Sequence, residues 1–349
     1  MGSSILDLDP DELGELMSAW GEPSYRVRQL VRWLHRHGVR DFEKITVFPR
    51  QLRQRLASSY EIRRLKVQGE VRCRDGTVKM LLKLADGECI ETVWMTHPWG
   101  RSLCMSVQVG CAMGCVFCAS CLGGKKRDLT LGELIEQMLL SPTGQGRSGP
   151  DRVDLMGIGE PLDNLPVILR FLRVVTLREG FSLSPRRICL STCGLVDGIR
   201  ALVEEGWPLT LCISLHAPEQ RLRQQLMPRA AARHSVEEVV AAGRYWWERT
   251  GRRPSFEYVL LAGINDQTEH ARKLARLLQG WPCHVNLIRY NPVPGRPFVP
   301  SDNSVTRRFM EILRQAGVAV TLRRSLGLEM QAACGQLRRR LGVSGEGGD

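Results

Sequence analysis

Three cysteines within eight residues carry the most specific chemistry in this sequence. They form the run Cys111-Ala-Met-Gly-Cys115-Val-Phe-Cys118, which follows an apolar segment that predicts a strand. Three thiolates on one short loop suit an iron–sulfur cubane. Because a [4Fe–4S] cluster usually takes four cysteines, three would leave one iron open to another ligand. A zinc site would need a fourth Cys or His nearby, and Cys121 keeps that alternative open.

Polar residues and glycines follow the later predicted strands. Because binding sites gather at the carboxyl ends of parallel strands, we expect these residues to form one cradle. A glycine turn or a strand-end histidine alone would more often have a structural role. The prediction of a binding site therefore rests on four such motifs occurring together. Its members are Met156-Gly-Ile-Gly-Glu160-Pro, Ser191-Thr-Cys-Gly194, Ser214-Leu-His216 and Asn291-Pro-Val-Pro.

The segments that must position these residues fall into three patterns. The first is helical and basic, with helices predicted at 12–20, 26–37 and 49–58. The second alternates like strands at 65–71, 78–84 and 89–95, with turns at Arg74-Asp75-Gly76 and Asp86-Gly87. The third repeats strand and helix, which predicts a mostly parallel sheet. Its strands are predicted at 105–109, 153–156, 187–190, 210–214, 255–261, 284–288 and 318–323.

We therefore predict an α/β fold: a partial (β/α)6 barrel with a small N-terminal helical module and a short antiparallel meander. The expected domains are a basic helical module at 1–62, the meander at 63–100, the barrel at 101–341 and a disordered tail at 342–349. Helices between the barrel strands are predicted at 131–140, 166–178, 196–205, 236–249, 269–279 and 305–316.

Composition limits the partners and the compartment. Lys+Arg 49 against Asp+Glu 37 gives a net charge of +12, which favours a polyanionic partner. No stretch approaches the roughly 18 apolar residues of a membrane span, so we expect a cytoplasmic protein. Its twelve cysteines then fit thiols or metal ligands better than disulfides. Cys189 and Cys212 lie in apolar runs that predict core positions. The arginines occur in clusters along the sequence, and solvated helix faces would explain those clusters as well as a polyanionic partner would.

Together these motifs resemble the radical S-adenosylmethionine superfamily and, within it, the RlmN/Cfr family of RNA (adenine) methyltransferases. The resemblance spans nearly the whole chain and includes Ile90-Glu91-Thr-Val, Gly123-Gly-Lys-Lys-Arg127 and Ala333-Cys334-Gly-Gln-Leu337. It implies a [4Fe–4S] cluster on Cys111, Cys115 and Cys118, with two molecules of S-adenosyl-L-methionine used per turnover. The implied cofactor contacts are Gly159, Glu160, Ser191, Ser214, Leu215, His216 and Asn291.

The resemblance also implies roles in group transfer. Cys334 would become an S-methylcysteine and form a covalent adduct with RNA, and Cys104 would resolve that adduct through a transient disulfide with Cys334. Glu91 would be the proton acceptor, a role that Cys104 could share; without the family match, Glu91 reads as an exposed strand carboxylate. Gln331 and Cys193 depart from the family pattern, which has aspartate and commonly serine there.

The implied activity is methylation of adenosine C2 in 23S rRNA and in the tRNA anticodon loop, with a flavodoxin-type electron donor and a monomeric enzyme. We expect phosphate contacts from 25–60, Arg252-Arg253 and Arg338–Arg340. Three alternatives stay open: C8 methylation as in the antibiotic-resistance (Cfr-like) branch, a non-catalytic RNA-binding protein with a structural metal site, and a radical enzyme acting on a small metabolite.

Overall fold

The N-terminal module is a set of short helices closed by one parallel strand pair. The computed structural model describes residues 3–62, 65–142 and 149–323. The module contains β1 (Ser3–Ser4), α1 (Pro10–Ala19), α2 (Tyr25–Val31), α3 (Arg50–Ser59) and β2 (Tyr60–Glu61); α2 continues as a π-helical turn over Arg32–Arg36. Helix α1 begins at a capping box in which Asp9 and Glu12 satisfy each other's backbone N–H groups.

A ten-stranded sheet forms the body of the protein. Its first strands are β3 (Lys66–Arg72), β4 (Val78–Lys83), β5 (Cys89–His97) and β6 (Gly100–Cys104). A small hairpin of β7 (Gln108–Gly110) and β8 (Lys125–Asp128) follows, then α4 (Leu131–Leu139). The remaining elements are β9 (Arg152–Leu155), α5 (Leu165–Thr176), β10 (Ile188–Thr192), α6 (Val196–Glu204), β11 (Thr210–Ser214), α7 (Gln220–Leu226), α8 (Pro228–Arg233), α9 (Val236–Thr250), β12 (Ser255–Leu260), α10 (Thr268–Leu278), β13 (His284–Arg289), α11 (Asn303–Gln315) and β14 (Ala319–Leu322).

The order of the strands is β14-β13-β12-β11-β10-β9-β6-β5-β4-β3. From β6 to β14 all neighbours are parallel, whereas β3, β4, β5 and β6 pair antiparallel. The parallel part is an open, partial barrel. Strand β6 joins it to the meander, because β6 pairs with β9 on one side and with β5 on the other. The predicted fold class is therefore confirmed, with the meander and barrel sharing one sheet.

The first barrel strand lies earlier than predicted. The sequence predicted a strand at 105–109, but β6 ends at Cys104; the Met105 N–H still donates to the Asp154 carbonyl at 3.0 Å, and regular pairing stops at Ser106. The reason is the side chain of Gln137, which accepts from the Ser106 backbone N–H and donates to its carbonyl, both at 3.0 Å. These bonds replace strand pairing for Ser106, and the prediction of one strand at 105–109 was wrong.

The N-terminal module and the barrel share one hydrophobic core. Ile5, Met17 and Leu30 are fully buried within the same cluster as barrel residues. Arg170 of α5 binds the start of the module: its guanidinium donates to Asp9 Oδ2 at 3.0 Å and to the Asp7 carbonyl at 2.8 Å. The chain changes from helices to the sheet near residue 62, but the hydrophobic core continues across that boundary.

None of the helices in residues 3–62, 65–142 and 149–323 is both long enough and apolar enough to cross a bilayer. The predicted tail at 342–349 and the last part of the predicted barrel domain lie outside the described residues.

Replacing Arg170 with Met should lower the free energy of unfolding by about 1–2 kcal/mol, because it removes charge-assisted hydrogen bonds from a partly buried site. Arg173→Met is the matched control on the same helix, since Arg173 pairs with Glu205 at 3.4 Å on the surface. We expect that control to change stability by less than about 0.5 kcal/mol. Denaturant unfolding measures both variants; equal losses would contradict this role for Arg170.

Candidate active site

One cavity of about 310 Å³ opens at the carboxyl ends of the parallel strands. The thiols of the three-cysteine loop line one side, and residues from the ends of β9 to β14 line the other. Five of the seven predicted cofactor contacts are among its lining residues: Gly159, Ser191, Ser214, His216 and Asn291. The structure thus brings the predicted cradle and the predicted cluster ligands together at one site.

The cysteine loop is closed by a close approach of two glycines. Gly110, at the end of β7, has φ +76°, and a Cβ there would lie 1.8 Å from the carbonyl oxygen of Gly124. That carbonyl instead accepts the backbone N–H of Cys111 at 3.1 Å. Only glycine fits this backbone conformation at this distance, so Gly110 sets where the loop begins and ends.

Helices α7 and α8 hold the loop from its outer side. The Val116 N–H donates to the Leu226 carbonyl at 3.0 Å, and Arg229 donates to the Ala112 carbonyl at 3.1 Å. These helices lie in a segment for which the sequence predicted no element. The loop therefore depends on contacts that its own motif does not reveal.

Four thiols meet at the base of the cavity. The side chains of Cys111, Cys115, Cys118 and Cys121 all line this part of the cavity. The interaction with the neighbouring Cys121 thiol, together with burial, raises the pKa of the other three thiols well above the usual range. Metal binding at this site must therefore displace protons, because cysteine ligates as the thiolate.

The residues present fit an iron–sulfur cluster. Three soft thiols from one loop line a single cavity, and its opposite wall includes two glycines and the polar side chains of Ser191, Ser214 and Asn291. Within the described part of the chain, no three His, Cys, Asp or Glu side chains are arranged to hold a single metal ion. A zinc ion would need its sulfur ligands about 2.3 Å away around one point, whereas a cubane spreads them over separate irons.

His216 is neutral and fixed in orientation. It lies beyond the end of β11 with φ +58°, where the Asn265 side chain donates to its carbonyl at 2.9 Å. The Val259 N–H donates to His216 Nδ1 at 3.0 Å, which leaves Nε2 as the protonated nitrogen. Burial, followed by the charge of Arg223, lowers the His216 pKa to about 3. Its imidazole therefore serves as an uncharged donor at neutral pH.

Glu160 and Leu215 are not among the residues that line the cavity. Glu160 is buried and accepts the N–H groups of Cys193 at 2.6 Å and Leu162 at 3.1 Å. Its own N–H donates to the Gln108 side chain at 2.9 Å. In this arrangement Glu160 connects the loop after β9 to the end of β10, and Leu215 is fully buried in the core.

Two of the residues predicted for group transfer, Glu91 and Cys104, lie on the neighbouring strands β5 and β6, and neither is among the residues that line the cavity. Glu91 is a buried residue of β5, so its reading as an exposed carboxylate was wrong; it forms an ion pair with Lys79 at 2.8 Å. Cys104 ends β6 and is partly buried; its carbonyl accepts the Thr92 hydroxyl at 2.9 Å. Cys334 and Gln331 lie outside the described residues. Cys189 and Cys212 are buried core residues, as predicted.

Several cavity residues were missed at the level of sequence. They are Glu257, Tyr290 and Arg323, whereas Met156, Cys193 and Cys121 had been named in the sequence without a role in binding the cofactor. Glu257 carried a usable signal, because it is the one charged residue in the otherwise apolar strand Ser255–Leu260. Its carboxylate accepts from Asn286 Nδ2 at 2.9 Å, and burial raises its pKa. A buried carboxylate on a strand that ends at a cavity is typical of a functional position.

The basic segment after the cysteine loop is structural. Lys125 pairs with Asp128 and Asp163, at 2.8 and 2.9 Å, and Arg127 pairs with Glu133 at 2.8 Å. Arg252 donates to the Leu209 carbonyl at 2.6 Å, directly before the start of β11 and so at the opposite end of the parallel strands from the cavity. These cations are therefore poor candidates for binding a nucleic acid beside the site.

Comparison with known proteins agrees with the geometry. Residues 105–275 match the family model of the radical SAM superfamily, and residues 3–62 match that of the ribosomal RNA large subunit methyltransferase N-terminal domain. A crystal structure of a radical SAM methyltransferase from Sphaerobacter thermophilus superposes with a TM-score of 0.90 and 41% identity, over 96% of this chain and 98% of that one. The fold and the three-cysteine loop define a radical SAM enzyme.

Relatives that match over nearly the whole chain show which family of radical SAM enzymes this protein belongs to. A probable dual-specificity RNA methyltransferase RlmN from Symbiobacterium thermophilum is 48% identical over 337 residues, which cover 95% of this chain and 90% of the relative. A protein of the same name from Geobacillus kaustophilus is 44% identical, over 97% of this chain and 93% of its own length. The chain belongs to the RlmN family of radical SAM RNA methyltransferases, and the resemblance seen in the sequence is confirmed. The family implies S-adenosyl-L-methionine and an iron–sulfur cluster as cofactors.

Replacing Gly110 with Ala should prevent stable cluster assembly, because the new methyl group would overlap the Gly124 carbonyl and open the loop. Gly87→Ala is the control: Gly87 also has a positive φ, +89°, but a Cβ there would meet no atom within 4 Å beyond its chain neighbours. Both variants carry backbone strain of about 1–2 kcal/mol, and only the first carries the clash. Iron and sulfide content per chain after anaerobic reconstitution measures the difference; equal content would show that the close approach is dispensable.

Proposed function

We propose that this enzyme methylates C2 of an adenosine in 23S rRNA and also in tRNA. The observation that carries the proposal is the cavity in which Cys111, Cys115 and Cys118 face the strand-end cradle. The N-terminal match to a ribosomal RNA methyltransferase domain and the dual-specificity name of the relatives support the choice of substrates. The choice of C2 over C8 rests on what the resemblance to the RlmN family implies.

The proposed chemistry explains the need for a radical enzyme. C2 of adenine is an electrophilic amidine carbon and a poor nucleophile toward a sulfonium methyl group. When bound, the cluster and S-adenosyl-L-methionine supply the one-electron chemistry that side chains lack. Cys111, Cys115 and Cys118 would hold the cluster, while Gly159, Ser191 and the strand-end residues would bind the cofactor.

Three residues would then handle the methyl group and the adduct. Cys334, outside the described residues, would carry the methyl group as S-methylcysteine and join to the base. Glu91 would accept the substrate proton, and Lys79 is its ion-pair partner in this buried position. Cys104 would release the base by forming a disulfide with Cys334. Two molecules of S-adenosyl-L-methionine per turnover and a flavodoxin-type electron donor complete the proposal, for an enzyme acting as a cytoplasmic monomer.

The reaction product tests this function. Anaerobically reconstituted enzyme, supplied with a reductant, S-adenosyl-L-methionine and unmodified rRNA, should yield 2-methyladenosine in the digested RNA, measured by mass spectrometry. Cys118→Ala should abolish the product and the iron–sulfur absorbance, because it removes one of three ligands. Cys283→Ala, a buried cysteine remote from the cavity, should retain both.

The other outcomes identify the alternatives. Formation of 8-methyladenosine would replace C2 by C8 as the target. A colourless protein that binds RNA without cleaving S-adenosyl-L-methionine would favour a structural metal site. Cofactor cleavage with no dependence on RNA would favour a small substrate.

The N-terminal module offers a surface for the RNA backbone. Arg28, Arg32 and Arg36 are exposed at four-residue spacing along α2 and the π-helical turn. Within the described residues, none of the three forms an ion pair, in contrast to Arg26, which pairs with Glu22 at 3.6 Å. Tyr25, 44% exposed at the start of the same helix, is available to stack on a base. We infer that these side chains contact RNA.

Arg32→Glu with Arg36→Glu should weaken RNA binding several-fold at low salt and reduce the slope of log K against log salt by about 1–2. Arg276→Glu is the control for a change of charge, because Arg276 is exposed on α10 in the barrel. Filter binding across a salt series measures the effect, with cofactor cleavage in the absence of RNA expected to stay constant. Substitution is preferable to deletion of the module, because the module shares the barrel core. An unchanged salt slope would reject this surface.

A further inference from the structure

Arg223 of α7 is a buried cation that no acidic side chain neutralises. The residue is fully buried, with 0% of its surface exposed. Its Nη2 donates to the Cys193 carbonyl at 2.5 Å and its Nη1 donates to the His234 carbonyl at 3.2 Å. The buried Nε has no hydrogen-bond partner, and Arg223 forms no ion pair with a carboxylate in the described part of the chain. Two carbonyl groups therefore orient the guanidinium, but neither of them matches its charge.

Lys79 shows how a buried cation is compensated elsewhere in this protein. Within residues 3–62, 65–142 and 149–323, Lys79 and Arg223 are the two buried members of the lysines and arginines. Lys79 lies 2.8 Å from the Glu91 carboxylate, which balances its charge. Taking a charge out of water without such a partner is costly. We therefore expect a negative charge beside Arg223 that no carboxylate side chain supplies.

Helix α7 places Arg223 beside the cysteine loop. One turn farther along this helix, the Leu226 carbonyl accepts the Val116 N–H at 3.0 Å, and Val116 directly follows Cys115. On the other side, Arg223 binds Cys193, which lines the cavity together with Cys115. Burial lowers the pKa of Arg223, and the thiols of Cys193 and Cys115 oppose that effect. The guanidinium thus lies between the cysteine loop and the end of β10.

Glu160 is the acidic residue that shares a contact with Arg223, but its carboxylate serves other groups. It accepts the Cys193 N–H at 2.6 Å, whereas Arg223 binds the carbonyl of the same cysteine. The carboxylate also accepts the Leu162 N–H at 3.1 Å. Backbone N–H groups therefore compensate Glu160, and the charge of Arg223 is left for a different anion.

We propose that Arg223 is the buried counter-charge of the iron–sulfur cluster and raises its reduction potential. The inference rests on the radical SAM function, in which Cys111, Cys115 and Cys118 would hold the cluster. The sulfides and the three thiolates outweigh the charge of the irons, so the cluster is anionic, and reduction by one electron makes it more so. A fixed positive charge in a site that excludes water stabilises the reduced form more than the oxidised form. The electron comes from the external reductant, and Arg223 keeps its proton throughout.

The reduction potential of the cluster tests this role without the methylation reaction. Enzyme reconstituted anaerobically, without S-adenosyl-L-methionine, is titrated with dithionite and a viologen mediator, and electron paramagnetic resonance measures the reduced cluster. Arg223→Gln removes the charge but keeps an N–H donor. At a given solution potential, its ratio of reduced to oxidised cluster should be at least about tenfold lower than in wild type, a shift of about 59 mV for one electron.

Two further variants separate charge from other effects of substitution. Arg223→Lys keeps the positive charge, so its ratio should stay within about threefold of wild type. Arg221→Met removes an exposed cation from the same helix. Its ratio should change by less than about twofold, because water and salt screen a charge at the surface.

The other outcomes overturn the proposal or identify its cause. A Gln variant with normal iron content and an unchanged potential would overturn the role of Arg223 alone, and so would an equal shift in Arg223→Lys, because geometry would then outweigh charge. If Arg223→Gln assembles no cluster, a native far-UV circular dichroism spectrum together with assembly by Arg223→Lys supports the counter-charge; failure of both variants to assemble one contradicts it.

The cluster-free protein gives a separate criterion. An uncompensated cation cannot stabilise the fold, so loss of the native spectrum in cluster-free Arg223→Gln would make Arg223 a structural residue and overturn the proposal. Wild-type enzyme that assembles no cluster would overturn the radical SAM function and this inference together.

Discussion

The close approach of Gly110 to Gly124 is the constraint on which the site depends. It closes the loop between β7 and β8, and this closure confines the cysteines to one side of a single cavity. A buried polar network fixes the hairpin to the barrel. Gln108 lies fully inside and donates to Asp128 at 2.8 Å and Asp163 at 3.1 Å, and its oxygen accepts the Glu160 N–H. Every polar atom of the Gln108 side chain is therefore used, which favours one arrangement of loop and strand ends.

The same network explains why glycines recur at the strand ends. A Cβ at Gly159 would lie 2.6 Å from Gln108 Cβ, and one at Gly157 would lie 2.4 Å from the Met105 carbonyl. The chain beyond β9 thus packs directly on the segment that leads into the cysteine loop. The glycines that suggested a cofactor cradle are required first by this packing, and the cavity beside them is its consequence.

Much of the fold could be predicted because the apolar periodicity of a helix or strand, and the polar residues at a strand end, can be read from a short stretch of sequence. Strands β9 to β14 and helices α9 to α11 carry clear apolar patterns and lie within a few residues of their predicted bounds. Strand β6 was missed because Gly100-Arg-Ser offers no apolar alternation, whereas Met105–Val109 does. Helices α7 and α8 were missed because their segment is rich in arginine and glutamine, and only contacts with the cysteine loop reveal their purpose.

The site shows where sequence reasoning reaches its limit. The motif predicted which thiols could bind a cluster, but the nearness of Cys121 and Cys193 depends on how turns and strands meet in space. Likewise, the strand pattern without the family match indicated an exposed Glu91, because Lys79 on the neighbouring strand gives no local sign that it will be buried as its partner. A buried charge needs a partner of opposite charge. The sequence of one strand therefore cannot predict that its charged residue is buried when the partner lies on another strand.

Charge is distributed in the structure according to what each region is expected to bind. At the cavity, the low pKa of His216 keeps its imidazole uncharged, and Glu257 contributes a carboxyl group beside it. A cationic sulfonium nucleotide is better accommodated there than beside an imidazolium ion. Most basic residues of the cysteine-loop hairpin are neutralised by acidic partners, whereas Arg28, Arg32 and Arg36 of the N-terminal module form no ion pair within the described residues. The N-terminal module therefore offers unpaired positive charge to a polyanion, whereas Arg323, a cation that lines the cavity, lies 4.0 Å from the Glu257 carboxylate.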